Sequence, residues 1–267
     1  MKKRSALVGE KGKVIGVDMT KEQLEVARKH SEYHSKQFNL PQVNTNFLEA
    51  NIEDLKTAGI ESNSVDVVVS NSVINLCADK QRVFAEIFRV LKPGGELLFS
   101  DISSDRRVPS ELREDPTLWG EGLSGALYTE DFRRIAQKAG FNDVRVVSKR
   151  YLAVQEELQE KVKDIKYFSI TRRAFKLHNL EDRCEDFGQV AVYKGGIEGE
   201  EDAFGLDDHH LFKKGEEVRV CGNTAEMLSS TRFSHFFHIS ERGPHKGLFD
   251  CSPSQDCQRG EKGGSCC

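Results

Sequence analysis

The 267-residue chain carries 39 basic and 43 acidic side chains, a net charge of −4 that steers it toward neither nucleic acid nor an anionic membrane. Apolar residues make up 37%, enough for the core of one large domain or two modest ones. No apolar run approaches the roughly 18 residues of a membrane span, and after the basic Met1–Ser5 charged residues soon interrupt, from Glu10, where a signal core would stay apolar, so the cytosol is the expected compartment. Seven cysteines are an odd count, and only Cys77 precedes residue 184. That is a poor disulfide framework; thiols kept reduced for packing, chemistry or metal contact fit better. No heptad or long edge strand stands out, and a monomer is expected.

Strand and helix signals then alternate. Lys13–Asp18 is a short β-branched run ending in an acid. Thr20 with Gln23 has capping-box spacing, and Leu24, Ala27 and His34 continue one helical face. Val43–Leu48 reads as a weaker strand, and Val65–Ser70 as a strong one buried on both faces. A helix is expected over Asp79–Leu91, stopped by Lys92-Pro93-Gly94-Gly95, with a strand at Glu96–Ser100. Thr129–Ala139 is a helix closed by Gly140, and Val144–Val154 the following strand. This alternation implies a doubly wound, mainly parallel α/β sheet over residues 1–154. A small α+β domain is expected over 155–240, with strands at Gln189–Tyr193 and Glu217–Cys221. From 241 to 267 Gly, Pro, Ser, Cys and charge dominate, the composition of a flexible tail.

In open α/β sheets ligands sit beyond the carboxyl ends of the strands. An acid ending a strand can accept both ribose hydroxyls of an adenosine, and Asp18 is so placed; the alternative is a turn or helix-capping aspartate. Ile52 and Glu53 could edge an adenine, and Asn71-Ser72-Val73 the other end of such a ligand. No Cys-x-x-Cys pair or His-Glu-x-x-His run argues for zinc. Cys77, just after the fourth strand signal, and Cys221, at a strand end, read as packing thiols unless a ligand role is shown.

The succession GKVIGVDMTKEQLEVAR, NIEDL, VVSNSVINL and RVLKPGGELLFSD resembles a class I methyltransferase from its second strand onward. SNSVINL, WGEGLSGALY and CEDFGQVAVYKGG are more specific, and are similar to the arsenite methyltransferases over about residues 5 to 240. The resemblance implies S-adenosylmethionine as cofactor, contacted by Asp18, Met19, Gln23, Ile52, Glu53, Asn71 and Val73. It implies arsenite or its glutathione conjugate as substrate, with thioredoxin or glutathione as reductant.

In this architecture the cofactor's glycine loop lies about 20 residues before the ribose acid, whereas 17 residues precede Asp18. The sheet is therefore expected to lack its first, central strand, and the polypeptide alone to fold poorly and bind cofactor weakly. A sharp thermal transition raised by S-adenosylmethionine would refute that expectation. The resemblance also implies three converging thiols for arsenic, a soft centre that selects thiolates. One lies upstream of the glycine loop; the second position is Gly122 here; the third is Cys184, the expected catalytic and arsenic-binding thiol. Cys77 and the tail thiols Cys251, Cys257, Cys266 and Cys267 are candidate substitutes. Two other readings stay open: a non-catalytic arsenic- or thiol-binding relative, and a methyltransferase for another small molecule.

Overall fold

A computed structural model describes residues 7–251, in two compact units divided at Glu61/Ser62. In the first unit, β1 (Val14–Asp18) pairs in parallel with β2 (Thr45–Glu49), and α1 (Lys21–Lys29) and α2 (Ser31–Gln37) connect them. One helix was expected where two form, broken at His30. Thr20 makes no side-chain cap; the Asp18 carboxylate instead accepts the Thr20 N–H at 2.8 Å. Leu24 is the buried anchor of α1.

The second unit holds a sheet in the order β3 (Val65–Asn71), β4 (Leu91–Ser104), β7 (Tyr167–Phe175), β6 (Val144–Leu152), with β5 (Leu127–Tyr128) added to the end of β4. β3 and β5 run parallel to β4, while β7 is antiparallel to both β4 and β6. α3 (Lys80–Val90) begins where the Asp79 carboxylate accepts the Arg82 N–H, and buries Val83, Phe84, Ile87 and Val90. α6 (Thr129–Ala139) ends at Gly140, whose φ of +112° is the left-handed stop expected of glycine. Phe84, Phe99 and Phe132 join α3, β4 and α6, with ring centroids 5.6 Å apart.

Several expectations need correction. β3 is not buried on both faces: Val67 is 39% exposed, because β3 is an edge of its sheet among the described residues. β4 starts at Leu91 and runs through the Lys-Pro-Gly-Gly segment. β7, within the stretch assigned to the second domain, lies between β4 and β6 in the same sheet, so that sheet continues past residue 154. Its two arginines are buried because each has a partner. Arg172 donates to Ser103 Oγ at 2.9 Å and lies over the Phe132 ring; Arg173 pairs with Glu96 at 2.7 Å.

After β7 come the antiparallel sheet β11 (Glu217–Val220), β8 (Gln189–Tyr193), β12 (Phe237–Ile239) and the hairpin β9 (Ala203–Gly205), β10 (Leu211–Lys213). α8 (Gly222–Ser229) packs on them, over a core that includes Tyr193, Phe204, Phe212, Met227 and Phe237. The short helices α4 (Ser110–Arg113) and α5 (Pro116–Gly120) precede Gly122, and α7 (Glu156–Val162) supports that segment through Leu118, Leu123, Leu158 and Val162. The described part of the expected flexible tail is not loose: residues 243–249 hydrogen-bond along Cys184–Phe187. No helix among the described residues is long and apolar enough to cross a membrane.

Candidate functional site

At the carboxyl end of β3 the chain turns through Ser72, whose φ is +55°, into a single 3-10 turn, Ile74–Leu76. Buried Asn75 organises this end. Its backbone N–H donates to Asp101 Oδ2 at 3.1 Å, and its side-chain amide to the carbonyls of Ile102 at 2.7 Å and Gly122 at 3.2 Å. One side chain thus ties β3, β4 and the Gly122 segment together. Gly125 must be glycine here, since a Cβ would stand 1.9 Å from the Asn75 carbonyl oxygen. Burial pushes the Asp101 carboxyl above its ordinary value, against the hydrogen bonds from Asn75 and Ile102. Asn71 and Val73 stay exposed on this turn, and the half-buried Cys77 thiol reaches the Val73 carbonyl at 3.7 Å.

Gly122 itself has a φ of +72°, and a Cβ there would meet only Ile102 Cδ1 at 3.5 Å. The backbone favours glycine, but the space admits a small side chain. No sulfur stands at this position.

In the first unit, Asp18 ends β1 and lines a pocket of about 280 Å³ together with Gln23, Leu24, Ala27, Asn44, Thr45 and Phe47. That is just below the ~300 Å³ at which small-molecule pockets begin. Asp18 Oδ2 accepts no hydrogen bond among the described residues, so the carboxylate keeps acceptor capacity for a ligand's hydroxyls. Met19 is exposed beside it, and Glu53 follows Asn51 in a turn closed by the Asn51 side chain at 2.9 Å. Ile52 is half-buried between them. Asp18 is thus a turn aspartate and a pocket residue at once.

Cys184 does not stand alone. Its sulfur and those of Cys221 and Cys251 all lie within 4.8 Å of one another. Three backbone hydrogen bonds bring the segments together: Gly222 N–H to the Glu185 carbonyl at 2.9 Å, Asp186 N–H to Gly247 at 2.8 Å, and Phe249 N–H to Cys184 at 2.8 Å. Cys221 is fully buried at the N-terminus of α8, where its sulfur accepts the Thr224 N–H at 3.4 Å. Arg145 donates to the same sulfur at 3.7 Å. The Cys184 and Cys251 thiols, then Arg145 and Thr224, hold the Cys221 thiol well below its ordinary value despite burial. Cys184 is pushed up, chiefly by its hydrogen bond to Cys221.

Cys221 is buried as a packing thiol would be, and its sulfur also stands within reach of two others. No spacing rule could have found this grouping, because it depends on backbone pairing between segments about 30 to 70 residues apart. Cys257, Cys266 and Cys267 lie outside the described residues. Asn75 and Gly125 were also not singled out from sequence; the signal, a glycine between two small residues in SGA, was present but generic.

A family model described as a methyltransferase domain matches residues 3–140, and one for the arsenite methyltransferase C-terminal domain matches residues 187–264. The chain is 48% identical to the arsenite methyltransferase of Aquipseudomonas alcaligenes, covering 91% of this chain and 70% of that protein. It is 43% identical to the human arsenite methyltransferase, covering 90% of this chain and 63% of that one, and 45% identical to the mouse protein, of which it spans 61%. Among solved structures, an arsenic(III) S-adenosylmethionine methyltransferase from Chlamydomonas reinhardtii superposes with a TM-score of 0.89 at 47% identity, covering 92% of this chain and 83% of that one.

Proposed function

The chain belongs to the arsenite methyltransferase family, and on that premise we propose that it transfers a methyl group from S-adenosylmethionine to thiol-bound trivalent arsenic. The observation that carries the reading is a likeness running through both the sheet and the C-terminal domain, which a generic methyltransferase would not share. When bound, S-adenosylmethionine supplies an electrophilic methyl group on a sulfonium.

The residues present suit that cofactor. Asp18 offers a carboxylate with open acceptor capacity beside a pocket, the chemistry a ribose diol needs. We assign Asp18, Met19, Gln23, Ile52 and Glu53 to the adenosyl portion, and Asn71 and Val73 to the amino-acid portion. Asn75 and Asp101 position the turn that carries Asn71 and Val73. Trivalent arsenic attacks through its own lone pair and carries no proton to remove, so the protein's task is positioning rather than general base catalysis. Because the Gly122 segment offers no sulfur, we assign delivery of arsenic to a thiol conjugate such as that with glutathione, with Cys77 the described thiol nearest this turn, and with glutathione or thioredoxin as reductant. Changing Asp18 to Ala should abolish cofactor binding measured by calorimetry while leaving the thermal transition of the chain in place; undiminished binding would refute the cofactor assignment.

A further inference from the structure

The three-thiol cluster is not at the end of the sheet where Asn75 and Gly122 meet. Arg145, which touches Cys221, pairs across β7 with Arg173, and Arg173 pairs with Leu98 on β4. Asn75 grips β4 at Ile102, four residues further on. At about 3.3 Å per residue and about 4.8 Å per strand, the two places are separated by on the order of 15 Å. The cluster thus stands apart from the turn at the carboxyl ends of β3 and β4 to which methyl transfer is assigned above, and Cys184, expected as the catalytic thiol, lies in the cluster rather than at that turn.

We infer that Cys184, Cys221 and Cys251 form a site that binds inorganic trivalent arsenic as a three-coordinate tris-thiolate, apart from the place of methyl transfer. The choice of arsenic rests on the family reading above; the convergence of three thiols does not. A metal–thiolate bond of about 2.3 Å places neighbouring sulfurs of a compact centre within about 4 Å, so sulfurs already inside 4.8 Å need only small rotations to close on one atom. All three cysteines are free thiols. Cys221 forms the buried floor, while Cys184 and Cys251 are half-exposed and leave a way in.

Two features favour arsenic over zinc. Structural zinc takes four protein ligands, and no fourth Cys, His or carboxylate joins this group among the described residues. The charge balance points the same way. Arg145 is already paired with Asp143 at 2.7 Å and Asp207 at 3.2 Å, so the buried surroundings carry no surplus of positive charge. A zinc tris-thiolate would bring a net negative charge into that setting, whereas an arsenic tris-thiolate is neutral.

Binding changes no oxidation state. Three S–H and three As–O bonds of arsenous acid break, three As–S bonds form, and three waters leave. Monomethyl and dimethyl trivalent arsenicals have only two and one exchangeable As–O bonds. The site therefore selects the unmethylated substrate and releases product forms.

The test uses the full chain with Cys77, Cys257, Cys266 and Cys267 changed to Ser, leaving only these three thiols. Arsenite is added without S-adenosylmethionine, so failure of methyl transfer cannot be mistaken for failure of binding. Arsenic absorption spectroscopy should show one arsenic per chain with three sulfur neighbours and no oxygen. Adding Cys184→Ser, Cys221→Ser or Cys251→Ser should replace one sulfur by oxygen and weaken binding by at least about tenfold, the lower bound seen when even a supporting group of a metal site is lost. Cys251→Ser, half-exposed near the end of the described chain, keeps the test readable if a buried substitution impairs folding. Fewer than three sulfur neighbours in the three-thiol protein, or binding unchanged by Cys251→Ser, would overturn the site. Zinc bound so tightly that arsenite cannot displace it would overturn the assignment to arsenic.

Discussion

Replacing Gly125 by Ala tests whether the Gly122–Tyr128 segment is held where the structure places it. The new Cβ would stand 1.9 Å from the Asn75 carbonyl oxygen and 2.9 Å from its carbon, distances that real Cβ atoms do not adopt. The obstacle is backbone, so the segment must retreat by about 1 Å to reach the 3.0 Å limit. Asn75 already reaches Gly122 at 3.2 Å, and that hydrogen bond would break. Leaving a buried donor unsatisfied costs about 1–3 kcal/mol, and forcing extra volume into a packed site about 1–3 kcal/mol more. The sum is about 2–6 kcal/mol, measurable as a shift of the urea midpoint at unchanged slope. Because Asn75 belongs to the turn carrying Asn71 and Val73, affinity for S-adenosylmethionine should fall in parallel. A variant within about 0.5 kcal/mol of the parent, the range of an ordinary surface change, and with unaltered cofactor affinity, would refute the reasoning.

Three further predictions concern other parts of the same unit. Burial alone would push the Asp207 carboxyl up, but the His210 hydrogen bond and charge, then Arg145, bring it down to about 2 from 3.8. Its folded value lies below its unfolded one, so it contributes about 2 kcal/mol that is present above pH 4 and lost as the pH falls through 2; Asp207→Asn should flatten that acid limb of the stability profile, and parallel profiles would contradict the pairing. Glu96 is buried between Arg173 at 2.7 Å and Arg232 at 2.6 Å. Glu96→Gln should cost about 3–5 kcal/mol in urea unfolding, and a loss below about 1 kcal/mol would show that neither arginine depends on it. At Gly122 a Cys has room beside Ile102 but must adopt a φ of +72°, so Gly122→Cys should lose about 1–2 kcal/mol of stability while raising the rate of arsenite methylation; an unchanged rate would show that this segment supplies no ligand.

The parts of the fold legible in the sequence are the β-branched runs and the helix with a clean apolar period. β1, β3 and β6 begin as short runs rich in β-branched residues and α6 repeats its apolar residues at helical spacing, and the structure places them within a residue or two of expectation. β7 was not legible because YFSITRRAF carries two arginines and three hydroxyl groups, which read as a polar connection. They are buried because Ser103, Phe132 and Glu96, from distant segments, receive the guanidinium groups. The tail misled for a related reason. Residues 241–251 have the composition of a flexible chain, yet their order comes from backbone hydrogen bonds to 184–187, which composition does not encode. Asp18 and the Asn71 turn could be anticipated because carboxyl ends of strands are where such sheets bind ligands. The convergence of Cys251 and Cys221 on Cys184 could not.

The central claim is methyl transfer to arsenic, and one incubation tests it directly. Purified chain is supplied with methyl-labelled S-adenosylmethionine, arsenite and glutathione, and the arsenic species are separated and counted. The account predicts label on arsenic, with one S-adenosylhomocysteine formed per methyl transferred and neither product from the Asp18→Ala variant. A folded chain that binds S-adenosylmethionine yet places no label on arsenic would contradict it.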